Sequence, residues 1–315
     1  VRIIPVNGRG PEDVAVDTYG ALLTGVEDGR ILRVSADGRR IEVLADTAGR
    51  PLGIEVGPDG HLVVCDAERG LLSVDPAAGT VLTLVDKVAG ERMLVCNNAA
   101  VDGEGTIYFT DSSRRYPVAH YEYDLLDNVG TGRLLRRDPQ GEIEVLLDGL
   151  KFANGVALSG DGSFVAVAET GGYRIHRVWL TGPRSGQAEV WTDLPGFPDN
   201  MSTGADGVFW VALPQDRNPA LDLLHRVPPR ARQGFRPLVD LLASRPPRTS
   251  GLVGVSPDGR ITHHVRLVGG GFRSVTGVRQ HGDQLYLGSL VERGIAVLDL
   301  PTSADVTEHT RDTTG

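Results

Sequence analysis

One unit recurs six times along these 315 residues, and that repeat limits the fold more than any other feature. In EDVAVDTYGALLTGVEDGRILRVSADGRRIEVLAD (12–46), four short apolar or alternating runs are separated by Gly-bearing turns. This is the pattern of four antiparallel strands joined by hairpins. It returns at LGIEVGPDGHLVVCDAERGLLSVDPAAGTVLTLVD (52–86) and at NNAAVDGEGTIYFTDSS, continued by GRLLRRDPQGEIEVLLD (97–148). Further copies open with NGVALSGDGSFVAVAET (154–193), DNMSTGADGVFWVALP (from 199) and TGVRQHGDQLYLGSL (from 276). Six such units predict an all-β fold, a six-bladed β-propeller with four-stranded antiparallel blades, as a single domain over 1–315. The opening VRIIPV is expected to pair into the last blade and close the ring, which hides edge strands.

The equivalent first positions of the units are 12, 52, 97, 154, 199 and 276, spaced by 40, 45, 57, 45 and 77 residues. The long intervals mark two insertions. Residues 112–132 carry three tyrosines, and residues 214–250 are rich in Pro and Arg. Long non-repeating loops on a rigid scaffold serve as lids or binding walls, or are tolerated decoration. One short helix is predicted at PALDLLHRV (219–227), and the tail 302–315 is expected to be disordered.

Composition narrows the partners. A net charge of −9 argues against nucleic acid or an anionic membrane as the main partner and suits cation binding. No apolar run reaches the ~18 residues of a membrane span. No basic-then-apolar leader opens the chain, so the expectation leans to a soluble, cytoplasmic protein with a small-molecule substrate. Cys65 and Cys96 both lie in apolar runs and read as buried thiols rather than a bridge. The sequence leaves the oligomeric state open.

In a propeller the first strand of each blade lines the central channel, so the six first positions gather at one end of the axis. They are Glu12, Leu52, Asn97, Asn154, Asp199 and Thr276, with Asn200 following Asp199. Each polar residue alone reads as a turn or loop residue. Two carboxylates and two carboxamides recurring at one phase of one repeat read instead as a hard-cation site. Glu12, Asn97, Asn154 and Asp199 would hold Ca²⁺, which takes 6–8 oxygens, or another divalent cation such as Mg²⁺, Mn²⁺ or Zn²⁺. Zinc is the least suited, because no His or Cys stands at these positions and His263 and His264 fall in an outer-strand run. Leu52, Tyr116, Asn200 and Thr276 are the expected substrate-pocket residues. The Asp-Gly pairs at Asp37, Asp59, Asp161, Asp206 and Asp258 read as turns. Asp111 and Glu169 read as structural hydrogen-bonding residues at the far ends of inner strands.

Several stretches carry a family resemblance: GPEDVAVD, GRPLGIEV, LVDKVAGERMLVCNNAAVDGEGTIYFTDSS, VLLDGLKFANGVALSGDGSFVAVAETGGYRIHRVWL, LPGFPDN and RSVTGVRQHGDQLYLGSL. The chain resembles the strictosidine synthase-like branch of the calcium-dependent six-bladed propellers, a branch that includes sequences of the adipocyte plasma membrane-associated type. The wider superfamily includes gluconolactonase/regucalcin, the paraoxonases and diisopropyl-fluorophosphatase. The resemblance spans nearly the whole chain. It implies metal ligands at Glu12, Asn97, Asn154 and Asp199, with Asn98 where an Asp is usual.

The resemblance also has gaps. The plant alkaloid-forming synthases use a last-blade Glu where this chain has Thr276, which counts against Pictet–Spengler condensation by their mechanism. The paraoxonases use a second-blade His where this chain has Leu52. The leading expectation is therefore a metal-dependent lactonase or arylesterase, with Asp199 and Glu12 as catalytic groups. The alternatives are an amine–aldehyde condensing enzyme and a binding propeller that the cation merely pins.

Overall fold

The computed structural model describes residues 1–243, 249–268 and 271–301. The expected tail (302–315) and residues 244–248 of the second insertion lie outside the described residues.

Six four-stranded antiparallel sheets form the six blades of a propeller. Their first strands begin at Ala15, Pro51, Cys96, Ala153, Met201 and Val275. Each first strand touches the first strands of the two neighbouring blades, so these six strands form the inner ring. The N-terminal strand Arg2–Pro5 pairs antiparallel with Gly294–Asp299 as the outermost strand of blade 6. The two ends of the chain thus close the ring, as the sequence predicted.

The burial pattern follows from this arrangement. Second strands are covered on both faces, and FVAVAE (Phe164–Glu169) is buried throughout. Outermost strands bury one face at most, and Val43, Leu82, Val145 and Val190 on them are exposed. There is no single core. Six apolar clusters sit between successive blades, such as Phe164, Met201, Phe209 and Val253 between blades 4 and 5. Cys65 and Cys96 are free thiols in the cluster between blades 2 and 3, where they touch each other, and burial pushes the Cys96 thiol up. The turn aspartates behave as predicted: Asp59 and Asp161 each accept the backbone N–H two residues on, at 3.0 Å.

The insertions are helical to a greater degree than the sequence suggested. The first carries helix α1 (Tyr121–Asp127), and the second carries α2 (Pro219–Leu224), α3 (Pro229–Arg232) and α4 (Arg236–Ala243). The Asn218 side chain caps α2 by accepting from Ala220 N and Leu221 N, and Pro219 presets its first turn. This helix stops at Leu224 rather than 227, because Pro228 and Pro229 have no N–H for the carbonyls of Leu224 and His225, and Arg232 donates to the carbonyls of His225 and Val227 at 2.9 and 2.7 Å.

Candidate functional site

Five of the six first positions share a local backbone defect that the sequence pattern does not reveal. In blade 3, Cys96 faces Asp111 and Ala99 faces Phe109, so Asn97 and Asn98 together oppose Thr110 alone. In blade 4, Asn154 and Gly155 oppose Ala168, and in blade 2, Leu52 and Gly53 oppose Cys65. In blade 5, Asp199 N donates to Ala212 O while Ala212 N donates to Asn200 O, again two residues against one. Blade 6 has an irregularity at Thr276. A β-bulge bends its strand and re-aims a side chain, and here such an irregularity recurs where blades 2 to 6 reach the axis.

The residue after each first position alternates around the ring. Odd blades carry Asp13, Asn98 and Asn200, and even blades carry Gly53, Gly155 and Gly277. Each glycine lies against the next odd blade. A Cβ on Gly53 would stand 2.7 Å from the Asn98 Cα, and one on Gly277 would stand 2.8 Å from the Asp13 Cα. On Gly155 it would meet the Asp199 carbonyl and the Met201 nitrogen at 2.5 Å. The missing side chains on even blades leave room for the buried polar ones on odd blades.

Those polar residues stitch the blades together. Asp13 accepts from Ile54 N at 3.3 Å and from Asn98 Nδ2 at 3.1 Å. Asn98 Oδ1 accepts from Val156 N at 2.8 Å. Asn200 breaks the series by turning its Nδ2 to Glu12 Oε2 at 3.0 Å. Thr276 Oγ1 donates to the Glu12 carbonyl at 2.7 Å.

Three carboxamide oxygens are left over. Asn97 Oδ1, Asn154 Oδ1 and Asn200 Oδ1 are buried without a hydrogen-bond partner. A buried orphan acceptor costs about 1–3 kcal/mol, so three on one ring require a physical account. The carboxylates are similarly uncompensated. Glu12 is held well above the usual carboxylate range by burial, then by Asp199 and Asp13, against a smaller opposing pull from Arg50. Burial pushes Asp199 up to about 7, with a hydrogen bond from Asn154 opposing and Asp13 adding to the rise. Burial likewise raises Asp13 to about 6, although Arg279 pulls against it. Among the described residues no three His, Cys, Asp or Glu side chains form a metal cluster, so the donor set consists of two carboxylates and amide oxygens.

The other expected pocket residues are spread more widely. Leu52 is buried against Ala67 and Val95. Tyr116 sits in the first insertion, where its hydroxyl donates to Asp127 Oδ2 at 2.6 Å and accepts from Arg236. The fully buried Asp127 also meets Arg115 at 3.2 Å, and Arg232 donates to its backbone carbonyl, so the two insertions form one tied unit. Sequence reasoning passed over Asp13 and Tyr121 and gave Asn98 no role of its own. Asp13 and Asn98 were visible as the Gly-versus-Asx alternation. Tyr121 lies on α1, where its ring meets Phe152 at 6.2 Å, and its phenol is raised by burial first, then by the charges of Glu122 and Asp199.

The placement of Asp111 and Glu169 needs correction. They end second strands, not inner ones, and so lie at the same end of the channel as the candidate site. Their structural role stands. Asp111 pairs with buried Arg133 at 3.0 Å. Glu169, which burial alone would raise, is drawn down to about 2 by His176 and Arg174. Asp66, Asp111 and Glu169 each accept a backbone N–H just ahead of the bulge, from Arg50, Val95 and Lys151, and so hold its entry. His263 and His264 lie on the outermost strand of blade 5.

Comparison with known proteins agrees with this architecture. The strictosidine synthase family model matches residues 97–183, and the N-terminal model of strictosidine synthase-like proteins matches residues 1–34. The chain is 35% identical to strictosidine synthase-like protein 10 of Arabidopsis thaliana, over 95% of this chain and 88% of that one. It is 36% identical to the adipocyte plasma membrane-associated protein of Salmo salar, over 92% of this chain and 76% of that one. It spans 62% of the length of strictosidine synthase-like protein 13 of Arabidopsis thaliana, at 36% identity over 70% of this chain. Among solved structures, a gluconolactonase from Xanthomonas campestris superposes with a TM-score of 0.68 at 20% identity, covering 95% of this chain and 89% of that one. The calcium-binding protein regucalcin from Agrobacterium tumefaciens superposes with a TM-score of 0.59 at 16% identity, covering 90% and 82%. No helix among the described residues is long and apolar enough to cross a membrane.

Proposed function

The chain belongs to the strictosidine synthase-like family of six-bladed propellers, and from that premise we propose that it is a divalent-cation-dependent hydrolase of a lactone or an aryl ester. The observation that carries this reading is the set of three orphaned amide oxygens beside two carboxylates of raised pKa. A cation would give every one of these groups a partner. Glu12, Asn97, Asn154 and Asp199 are the proposed ligands, and the unpartnered Asn200 Oδ1 is proposed to join them.

Oxygen donors of this kind suit Ca²⁺, with Mg²⁺ or Mn²⁺ next. Zn²⁺ is disfavoured, since Cys96, next to Asn97, turns its thiol to Cys65 instead. The calcium-binding and gluconolactonase neighbours of the same fold support this reading. The cation would act as a Lewis acid that polarises a carbonyl oxygen.

The protein's own groups would do the rest. Asp199 is the proposed base for the attacking water, or the nucleophile itself; it receives a hydrogen bond from Asn154. Glu12 is fixed by Asn200, and its backbone carbonyl by Thr276. Because Thr276 is spent in this bond, no free acid or base stands at the last-blade position. Hydrolysis is therefore preferred over amine–aldehyde condensation. The tied lid would keep bulk water from the reacting carbonyl.

The test is a metal analysis of the purified protein together with assays on phenyl acetate, alkyl lactones and glucono-δ-lactone, with and without chelator. The expected result is bound Ca²⁺, hydrolysis lost on chelation and restored by Ca²⁺, and an inactive Asp199→Ala variant. Hydrolysis indifferent to chelator, or full activity in Asp199→Ala, sinks the proposal. A chelator-lowered melting temperature with no hydrolysis of any substrate would leave only a cation-pinned binding propeller.

A further inference from the structure

A second layer of charge lies along the channel, next to the proposed cation site. Three residues on from each first position stand Ala15, Glu55, Ala100, Ala157, Ser202 and Arg279. Four of these are small, and the other two are one acid and one base. The repeat that gathers amide and carboxylate oxygens on one ring thus places a lone guanidinium on the next.

Arg279 belongs to blade 6 and reaches past blade 1 to blade 2. Its Nε donates to the Val14 carbonyl at 3.2 Å, and its Nη2 donates to Glu55 Oε1. Asp13 grips the same two stretches of backbone from the side of the first positions. Its Oδ1 accepts from Val14 N at 2.9 Å and its Oδ2 from Ile54 N at 3.3 Å. The guanidinium therefore follows Asp13 along the inner strands, with the Glu55 carboxylate beside it. Burial opposes the charge on Arg279, and Glu55 and then Asp13 outweigh it.

Four carboxylates converge on this part of the channel: Glu12, Asp13, Glu55 and Asp199. Buried carboxylates require counter-charge, and these divide by where it comes from. Arg279 supplies it to Glu55 and Asp13. Glu12 and Asp199 are left without enough, since Arg50 pulls on Glu12 less than burial and the neighbouring carboxylates push it. A guanidinium keeps its proton in a protein, so the charge beside Glu55 and Asp13 is permanent. A second divalent ion there would have to displace Arg279 or sit against its charge.

We infer that Arg279 is a built-in cation that takes the place of a second divalent ion, so that the channel binds one such ion and not two. It acts through Asp13 and Glu55 and is in that sense a positioning residue. The inference rests on the cation reading of the first positions, whose ion is the one that binds.

Equilibrium dialysis of the full chain against radiolabelled Ca²⁺, at micromolar and at millimolar free ion, tests it. The unaltered chain is expected to bind one Ca²⁺. Arg279→Gln should bind two, the second with a Kd of about 10⁻⁴–10⁻³ M, the weak end of protein calcium sites. Arg279→Lys keeps a cation and should bind one. Arg279→Gln combined with Glu55→Gln should also bind one, which sets aside ions held loosely by the acidic surface. No gain of an ion in Arg279→Gln overturns the inference, and so does a second ion in the unaltered chain, in Arg279→Lys or in the double variant. An Arg279→Gln chain that stays unfolded in millimolar Ca²⁺ overturns it as well, because the ion is then no substitute for the guanidinium. One ion both in the unaltered chain and in Arg279→Gln leaves the cation reading of the first positions standing. No ion in the unaltered chain and one in Arg279→Gln upholds the replacement by Arg279 and removes that reading.

Discussion

Asn200 donates from its side-chain nitrogen to a carboxylate oxygen of Glu12 at 3.0 Å, joining blades 5 and 1 across 188 residues of sequence. The bond fixes one oxygen of Glu12 and leaves Asn200 Oδ1 unpartnered. Asn200→Ala removes both a proposed ligand and the group that orients another. Ca²⁺ affinity should fall about tenfold, in the range that loss of a ligand-orienting contact produces. Competition with a calibrated chelator measures this, and affinity unchanged within twofold would exclude Asn200 from the site.

Gly155 has no room for a methyl group, because the obstructing atoms are backbone: the Asp199 carbonyl and the Met201 nitrogen, both 2.5 Å from an ideal Cβ. Blades 4 and 5 would have to separate where Asp199 is positioned. Gly155→Ala should destabilise by about 1–3 kcal/mol, as overpacking does. Gly160 lies in a turn with nothing within 4 Å of its Cβ position, so Gly160→Ala is the control and should stay within about 0.5 kcal/mol. Urea unfolding of the two variants compares them directly.

The sequence carried the blade count and the axial phase because both are repetitive. Glu12, Asn97, Asn154 and Asp199 recur at one position of one unit, and the structure brings them to one end of one channel. The bulges were hidden, since a two-against-one pairing leaves the order of apolar residues almost unchanged. Gly155 has no side chain to mark its role, which shows only once the Asp199 backbone stands beside it. Tyr121 was hidden for a different reason. It lies on a helix within a non-repeating insertion, where no second copy exists to reveal its phase. The misplacement of Asp111 and Glu169 came from counting them with inner strands, although each ends the strand after the hairpin.

Arg133 and Asp111 form a buried pair joined through Nε at 3.2 Å and Nη2 at 3.0 Å. Asp111 also receives Val95 N just ahead of Asn97. Arg133→Leu leaves a carboxylate buried beside the thiol pair with no cation near it. Removing one partner of such a pair costs about 3–5 kcal/mol. The double variant Arg133→Leu with Asp111→Asn should regain part of that loss, because no buried charge remains. Denaturant midpoints of the three proteins decide it, and equal stability of the single and double variants would refute the account.

The three raised carboxyls set the sign of the pH response without metal. Asp13 at about 6, Asp199 at about 7 and Glu12 above its usual range all hold protons in the native state that the unfolded chain has released. Stability therefore falls as pH rises through this window. Glu169, drawn down to about 2, acts in the opposite direction only below the ordinary carboxylate range. A bound cation favours the ionised carboxylates, so Ca²⁺ affinity should climb over the same interval and the stabilisation by Ca²⁺ should be largest at pH 7.5. Thermal melts at pH 5.5 and 7.5, each with chelator and with Ca²⁺, give the four numbers required. The chelated protein should melt at a lower temperature at pH 7.5 than at pH 5.5, and Ca²⁺ should narrow or reverse that gap. A chelated protein that melts higher at pH 7.5 would mean that the channel carboxylates are compensated by something other than a proton or a cation.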